Sequence, residues 1–167
     1  MDPHLVTALI AAIGRVEDPA ALDTTCSACA VALDVDGVAV TLTRSSLDDA
    51  VVGASDPAGK RLKEAELSAN QGPCIDAAQT GRTVATTDLT DVAEGRWPAL
   101  VGYLGTSPIR AVIAIPLTEG HQTVGSFNLY STRPHGLDHL RPTAVDLIAE
   151  TMGDAALRVR AHLNSTV

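Results

Sequence analysis

Aromatic side chains are scarce in this chain: Trp97, Tyr103, Phe127 and Tyr130 are the full set among 167 residues. Nucleobases, flavins and tetrapyrroles are commonly held by stacking on aromatic faces, so the shortage weighs against flat ligands. Cysteines number three, an odd count without framework spacing, which argues against a disulfide-stapled secreted domain. No apolar run reaches the ~18 residues that span a bilayer. The opening Met-Asp-Pro-His has no basic region ahead of an apolar stretch, so no secretory signal is expected. Positive charge is short as well, with 12 Lys and Arg against 20 Asp and Glu and a net charge of −8. Nucleic-acid binding runs on Lys and Arg neutralising phosphates, and is not expected here. The densest basic run, Lys60, Arg61 and Lys63, is flanked by Glu64 and Glu66 and reads as a solvated helix face. These absences leave a cytoplasmic protein with neither nucleic acid nor membrane as partner.

What is present suits one globular domain over residues 1–167. A chain of this length buries about two thirds of its unfolded surface, and 46% hydrophobic residues are enough to fill a core. Asp2-Pro3 and Asp18-Pro19 each place an N-cap ahead of a proline in the first helical turn. Leu5, Leu9, Ile13 and Val16 follow at helical spacing, and a second helix is predicted over 20–33. Alternating β-branched residues predict strands at 38–44 and 51–55, separated by a turn at Asp48-Asp49, with a third strand at 83–87. Helices are expected at 61–69, 73–78 and 96–104.

The clearest strand is 109–117, where Ile109, Ala111, Ile113, Ile115 and Leu117 share one face and Arg110, Val112, Ala114 and Pro116 the other. A turn at 119–122 returns the chain as a strand over 123–131. Leu140, Ala144, Leu147, Ile148, Met152, Ala155 and Val159 then mark a long terminal helix, capped by Asp138 or opening at Pro142. Adjacent strands with segregated helices imply an α+β fold on an antiparallel sheet.

From Asn70 to Tyr130 a series of motifs accumulates: Gly72-Pro73-Cys74-Ile75-Asp76-Ala77, Gly81, Val84, Asp88-Leu89, Arg96-Trp97-Pro98, Ile109-Arg110-Ala111, Pro116-Leu117, Val124-Gly125 and Leu129-Tyr130. The series resembles the GAF domains of actinobacterial GAF–ANTAR signalling proteins over about residues 31–163. That resemblance implies a six-stranded antiparallel sheet with helices on both faces and a small-molecule pocket roofed by the helices between strands. It further implies N- and C-terminal helices, about 3–33 and 138–163, packed together and often forming a dimer. Two departures stand out. Asn70-Gln71 replaces the family's Gly-Glu ahead of Gly-Pro-Cys, and Asn tolerates the left-handed backbone a glycine would supply there. The ANTAR output domain has no counterpart in this sequence, so a stand-alone domain is expected.

Subfamily signatures narrow the reading. None of Asn70, Asn128 and Asn164 is followed by lysine, as the cyclic-nucleotide GAF signature requires. Cys26, Cys29 and Cys74 are followed by Ser, Ala and Ile, whereas bilin attachment needs a Cys-His pair. Free methionine sulfoxide reductases of this fold need a further cysteine near the central strands, and none follows Cys74. Haem GAF sensors ligate iron through histidine; His4, His121, His135, His139 and His162 are read mostly as exposed loop positions, and no cofactor is expected. No second Cys or His pair stands at zinc-site spacing, and neither a nucleophile elbow nor a phosphate loop is present.

Cys26 and Cys29, three apart on one helix face, suit core packing first and a dithiol second. Cys74, near a helix N-terminus, is expected to have a lowered thiol pKa. With Cys26 and Cys29 it completes the set of redox candidates. The expected function is a sensory domain that binds a small ligand or a protein partner as a homodimer. The ligand-pocket candidates are Cys74, Asp76, Trp97, Arg110, Ser126 and Asn128. Asp76 and Arg110 would orient a polar ligand and Trp97 would cover it; whether Ser126 and Asn128 or Phe127 face it depends on strand register. The alternatives are an interaction module without a small ligand, and a thiol-based redox sensor or reductase.

Overall fold

A computed structural model describes residues 2–42, 51–91 and 95–165. In order it contains α1 (Pro3–Ile13), α2 (Pro19–Leu33), β1 (Gly37–Leu42), β2 (Val51–Ala54), α3 (Pro57–Ala69), α4 (Pro73–Thr80), β3 (Val84–Thr86), α5 (Pro98–Leu104), β4 (Ala111–Glu119), β5 (Gln122–Ser131) and α6 (Pro142–Ser165). Each of these six helices opens on a proline. Proline fits there because its fixed φ suits the helix and its missing N–H is one the first turn leaves unbonded anyway. Asp2, Asp18 and Asp56 stand before three of these prolines and accept the N–H groups of His4, Ala21 and Gly59, each at 2.9 Å. α3 therefore starts at Pro57 rather than at the expected residue 61, because Asp56-Pro57 is the same capping signal as the two before it. α6 starts at Pro142, not at Asp138, whose carboxylate pairs instead with His135.

The five strands form one antiparallel sheet in the order β2-β1-β5-β4-β3. These are the five that alternation alone predicts; the sixth strand implied by the family resemblance is not found among the described residues. The predicted turn at Asp48-Asp49 and the end of the predicted 38–44 strand lie outside them. β4 begins at Ala111, so Ile109 falls outside the strand and joins the opposite core from Ile113 and Ile115.

Register sorts the sheet's two faces. Phe127 pairs with Val40 and Ile115, while Ser126 pairs with Thr41 and Pro116. One face, with Val38, Val40, Leu42, Leu117, Phe127 and Leu129, packs against Leu9, Ile13, Leu22, Leu33, Ile148, Met152 and Val159 of α1, α2 and α6. The terminal helices thus lie together, as expected, and Arg158 of α6 donates to the carbonyls of Ile13, the last residue of α1, and of Val16 in the loop beyond it. The other face lies under α3, α4 and α5, where Leu62, Trp97, Leu100, Val112 and Tyr130 form a second core. No helix among the described residues is long and apolar enough to cross a membrane.

Candidate functional site

The sheet face under α3 and α4 carries polar side chains where apolar ones are the rule. Ser126 and Asn128 of β5 and Thr41 of β1 point to this side, and all three are buried. α3 adds Lys63 and Glu66, which are only 8% and 0% exposed. α4 adds Cys74 from its first turn. Lys63 Nζ donates to Ser126 Oγ at 2.8 Å, and Asn128 Nδ2 donates to the same oxygen at 3.3 Å. The Cys74 thiol donates to Asn128 Oδ1 at 2.9 Å, and Glu66 Oε1 accepts the Cys74 N–H at 3.0 Å. These contacts join α3, α4 and β5 into one buried network. Two buried atoms beside these contacts, Glu66 Oε2 and Thr41 Oγ1, have no hydrogen-bond partner.

Gly72 makes the Glu66 contact possible. Its φ of 146° is open to glycine and strained for other residues, and an added Cβ would stand 2.3 Å from Glu66 Oε1. With no side-chain cap at Gly72, Glu66 takes over the capping of α4 from the neighbouring helix. Burial pushes the Glu66 carboxyl above its ordinary range; the charge of Lys63 and the hydrogen bond from the Cys74 N–H pull the other way and only partly offset it. Burial, seconded by the charge of Glu66, likewise pushes the Cys74 thiol well up. This corrects the sequence expectation: the helix N-terminus does not lower this thiol, because burial outweighs it and the N–H beside it is given to Glu66.

A second set of contacts ties the helices of this face together. Trp97 Nε1 donates to Asp76 Oδ2 at 2.9 Å, with Trp97 buried and the Arg96 guanidinium 4.3 Å from its ring centre. Gln71 Oε1 accepts the Ala99 N–H at 2.8 Å, so a neutral side chain serves the first turn of α5. Asn70 closes α3 at φ 50°, the left-handed conformation expected of it. Arg110 turns its guanidinium to the carbonyls of Ser107 and Ile109. Outside Trp97 a mostly apolar cleft of about 210 Å³ opens between Leu89, Pro98 and Val101.

The family model for GAF domains matches residues 19–159. The chain belongs to the GAF family. Among solved structures it is similar to the GAF domain of an Acinetobacter phosphoenolpyruvate-protein phosphotransferase at TM-score 0.68 and 13% identity, with 100% of this chain and 98% of that one covered. The corresponding domain from Coxiella burnetii gives 0.66 and 11%, covering 98% and 94%. A free methionine-R-sulfoxide reductase from Neisseria meningitidis, solved with its substrate, gives 0.58 and 18%, covering 97% and 87%. At these identities the likeness is one of fold. Among curated proteins none matches the chain.

Of the six pocket candidates, this GAF domain brings Cys74, Ser126 and Asn128 into direct contact. Asp76 and Trp97 bond to each other at the edge of that group, and Arg110 is engaged elsewhere. Strand register puts Ser126 and Asn128 on the α3–α4 side and Phe127 on the other. Cys26 and Cys29 are buried in the core of the terminal-helix face. Burial raises both thiols, Cys29 to about 12 and Cys26 further. His121 is exposed in the β4–β5 turn, while His135 pairs with Asp138 and His139 with the Leu33 carbonyl. No group of metal-binding side chains forms among the described residues.

The residues missed from sequence are Lys63 and Glu66. Taken with Lys60, Arg61 and Glu64 they read as a solvated face, and those three are indeed exposed. The signal lay in spacing. Gly59, Leu62, Lys63 and Glu66 stand at i, i+3, i+4 and i+7, the stripe a helix turns to its core.

Proposed function

We propose that this GAF domain is a sensory and regulatory module, not an enzyme, that takes up a small molecule between the sheet and α3–α4. The supporting observation is the buried network of Lys63, Glu66, Cys74, Ser126 and Asn128 with its two unpartnered polar atoms. Burying such groups costs stability unless each is bonded, so their concentration on one sheet face favours a site over a packing device. The absence of a lowered thiol among Cys26, Cys29 and Cys74 weighs against thiol catalysis or redox sensing. The motif likeness to the GAF half of GAF–ANTAR proteins supports a role in intracellular signalling through a partner protein.

A homodimer through the terminal helices belongs to the same proposal. Leu5, Val31, Leu147 and Leu163 are large apolar side chains of α1, α2 and α6 that are 41–82% exposed, which is the residue type such an interface buries. The competing reading is an interaction module without a ligand, favoured by the way the network's side chains bond to one another. Thermal-shift measurement against fractionated cell metabolites separates the two. The sensor reading expects at least one fraction to stabilise the protein. No stabilisation, together with a crystal structure whose α3–α4 interior holds protein and water alone, would overturn it. Light scattering tests the dimer, which a monomer at high micromolar concentration would refute.

A further inference from the structure

Lys63 and Glu66, a basic and an acidic side chain, lie one helical turn apart on the inner side of α3, yet they do not satisfy each other. No ion pair joins them among the described residues: Lys63 is bonded to Ser126, and Glu66 to the Cys74 N–H. An ammonium has three donors and a carboxylate several acceptor positions. Lys63 uses one donor here, and Glu66 Oε2 is buried without a partner. Thr41, directly across the β1–β5 register from Ser126, holds the other unpartnered atom. The unmet capacity is therefore an ammonium with a hydroxyl beside it at one end, and a carboxylate oxygen at the other.

A single water meets the hydrogen-bond count but brings no charge to either end. A lone anion meets Lys63 alone and a lone cation meets Glu66 alone, leaving the other end's hydrogen-bonding capacity unmet. A molecule carrying both groups meets both ends, and its ammonium supplies the charge that favours the ionised Glu66 carboxylate against burial. We infer that the interval between Lys63 and Glu66 is a binding site for a small zwitterion, its anionic group received by Lys63 and Thr41 and its ammonium by Glu66. The inference rests on the ligand-binding reading above and names the ligand's class.

The test uses the full chain and a ladder of zwitterions: glycine, β-alanine, 4-aminobutyrate and the larger α-amino acids. Acetate and methylamine serve as half-ligands. Binding is read by thermal shift and by the fluorescence of Trp97, the one tryptophan in the chain, which is bonded to Asp76 on α4. At a hundredfold excess over Kd a true ligand raises Tm by roughly 5–10 °C. At least one zwitterion is expected to reach this where neither half-ligand does. Glu66→Gln still accepts the Cys74 N–H and is expected to fold while weakening binding roughly tenfold to a hundredfold.

Thr41→Val separates a ligand role from a structural one. It removes a buried hydroxyl that has no partner, so the free protein becomes more stable while the zwitterion binds more weakly. Equal stabilisation by acetate or methylamine would overturn the zwitterion and leave the sensor reading standing. So would binding by some other metabolite fraction but by no amino acid. Response to nothing, with water alone between Lys63 and Glu66 in a crystal, would overturn both.

Discussion

Gly72→Ala is the sharpest test of how the polar interior is built. The substitution asks an L-residue to hold φ 146° and ψ 171°, a region that costs of order 1–3 kcal/mol outside glycine. It also puts a methyl group 2.3 Å from Glu66 Oε1, 2.5 Å from its Cγ and 2.8 Å from its Cδ. Glu66 is 0% exposed and held at Oε1 by the Cys74 N–H, so it cannot swing into solvent. Overpacking of this kind costs about 1–3 kcal/mol, and breaking the cap of α4 adds about 1 kcal/mol or more. Together these give a loss of about 3–7 kcal/mol, equivalent to roughly 10–20 °C in Tm at about 3 °C per kcal/mol for a domain of this size. Urea denaturation followed by circular dichroism reads the loss, with two glycines as references. Gly81→Ala carries a positive φ of 67° but meets nothing nearer than 3.9 Å, so it isolates the backbone cost at about 1 kcal/mol. Gly102→Ala sits in open space on α5 and is expected to gain about 0.5–1 kcal/mol. If Gly72→Ala lost no more than Gly81→Ala, the clamp between Glu66 and α4 would be wrong.

Two further perturbations address the same interior. The folded state holds the Glu66 proton more tightly than its ordinary value of 4.5 allows. Its contribution to stability is therefore whole below about that pH and is lost as pH rises through the folded value; Glu66→Gln cannot titrate, so its stability is expected to fall less between pH 5 and 8, and parallel profiles would refute the assignment. The three thiols, all buried and all raised, are expected to resist a disulfide reagent at pH 8 in the native state and to react fully in denaturant; one thiol reacting at the rate of a free cysteine would refute this.

Most of the fold was legible in the sequence because its signals are local. Alternation marks five strands, and proline marks helix starts at Asp2-Pro3 and Asp18-Pro19. Asp56-Pro57 carries the same signal, but it follows directly on a strand, and the expectation places that helix only from residue 61. The faces of β5 were not legible, since Ser126 and Phe127 are equally credible as inward residues until pairing with Thr41 and Val40 fixes them. The candidate site was half legible. Cys74 comes from the motif series, and Ser126 and Asn128 from the strand that closes it with their facing left to register, whereas Lys63 and Glu66 are hidden by composition: charged residues in a charged run default to solvent. Their helical spacing with Gly59 and Leu62 contradicted that default. The pKa of Cys74 was misjudged for a related reason. A helix N-terminus lowers a thiol that faces it in the open, but the burial that reverses the effect depends on α3 and β5, which no local window contains.

The two faces of the sheet explain how such an interior persists. Native stability is a small remainder of large opposing terms, so a domain tolerates unpartnered buried atoms only where other contacts supply an excess. Here the excess lies directly behind the polar residues. Along β5, Phe127 and Leu129 face the terminal helices while Ser126 and Asn128 face α3 and α4, and along β1 Val38, Val40 and Leu42 alternate with Ala39 and Thr41. Each strand residue that adds a polar group to one side stands between neighbours that bury apolar surface on the other. A slip of one residue would bring Phe127 beneath Lys63 and turn Ser126 into the apolar core, exchanging both properties at once. The apolar pattern that fixes the register for stability thereby also fixes which polar groups reach the site. Selection on the core of the terminal helices and selection on the α3–α4 interior therefore act through the same few strand residues.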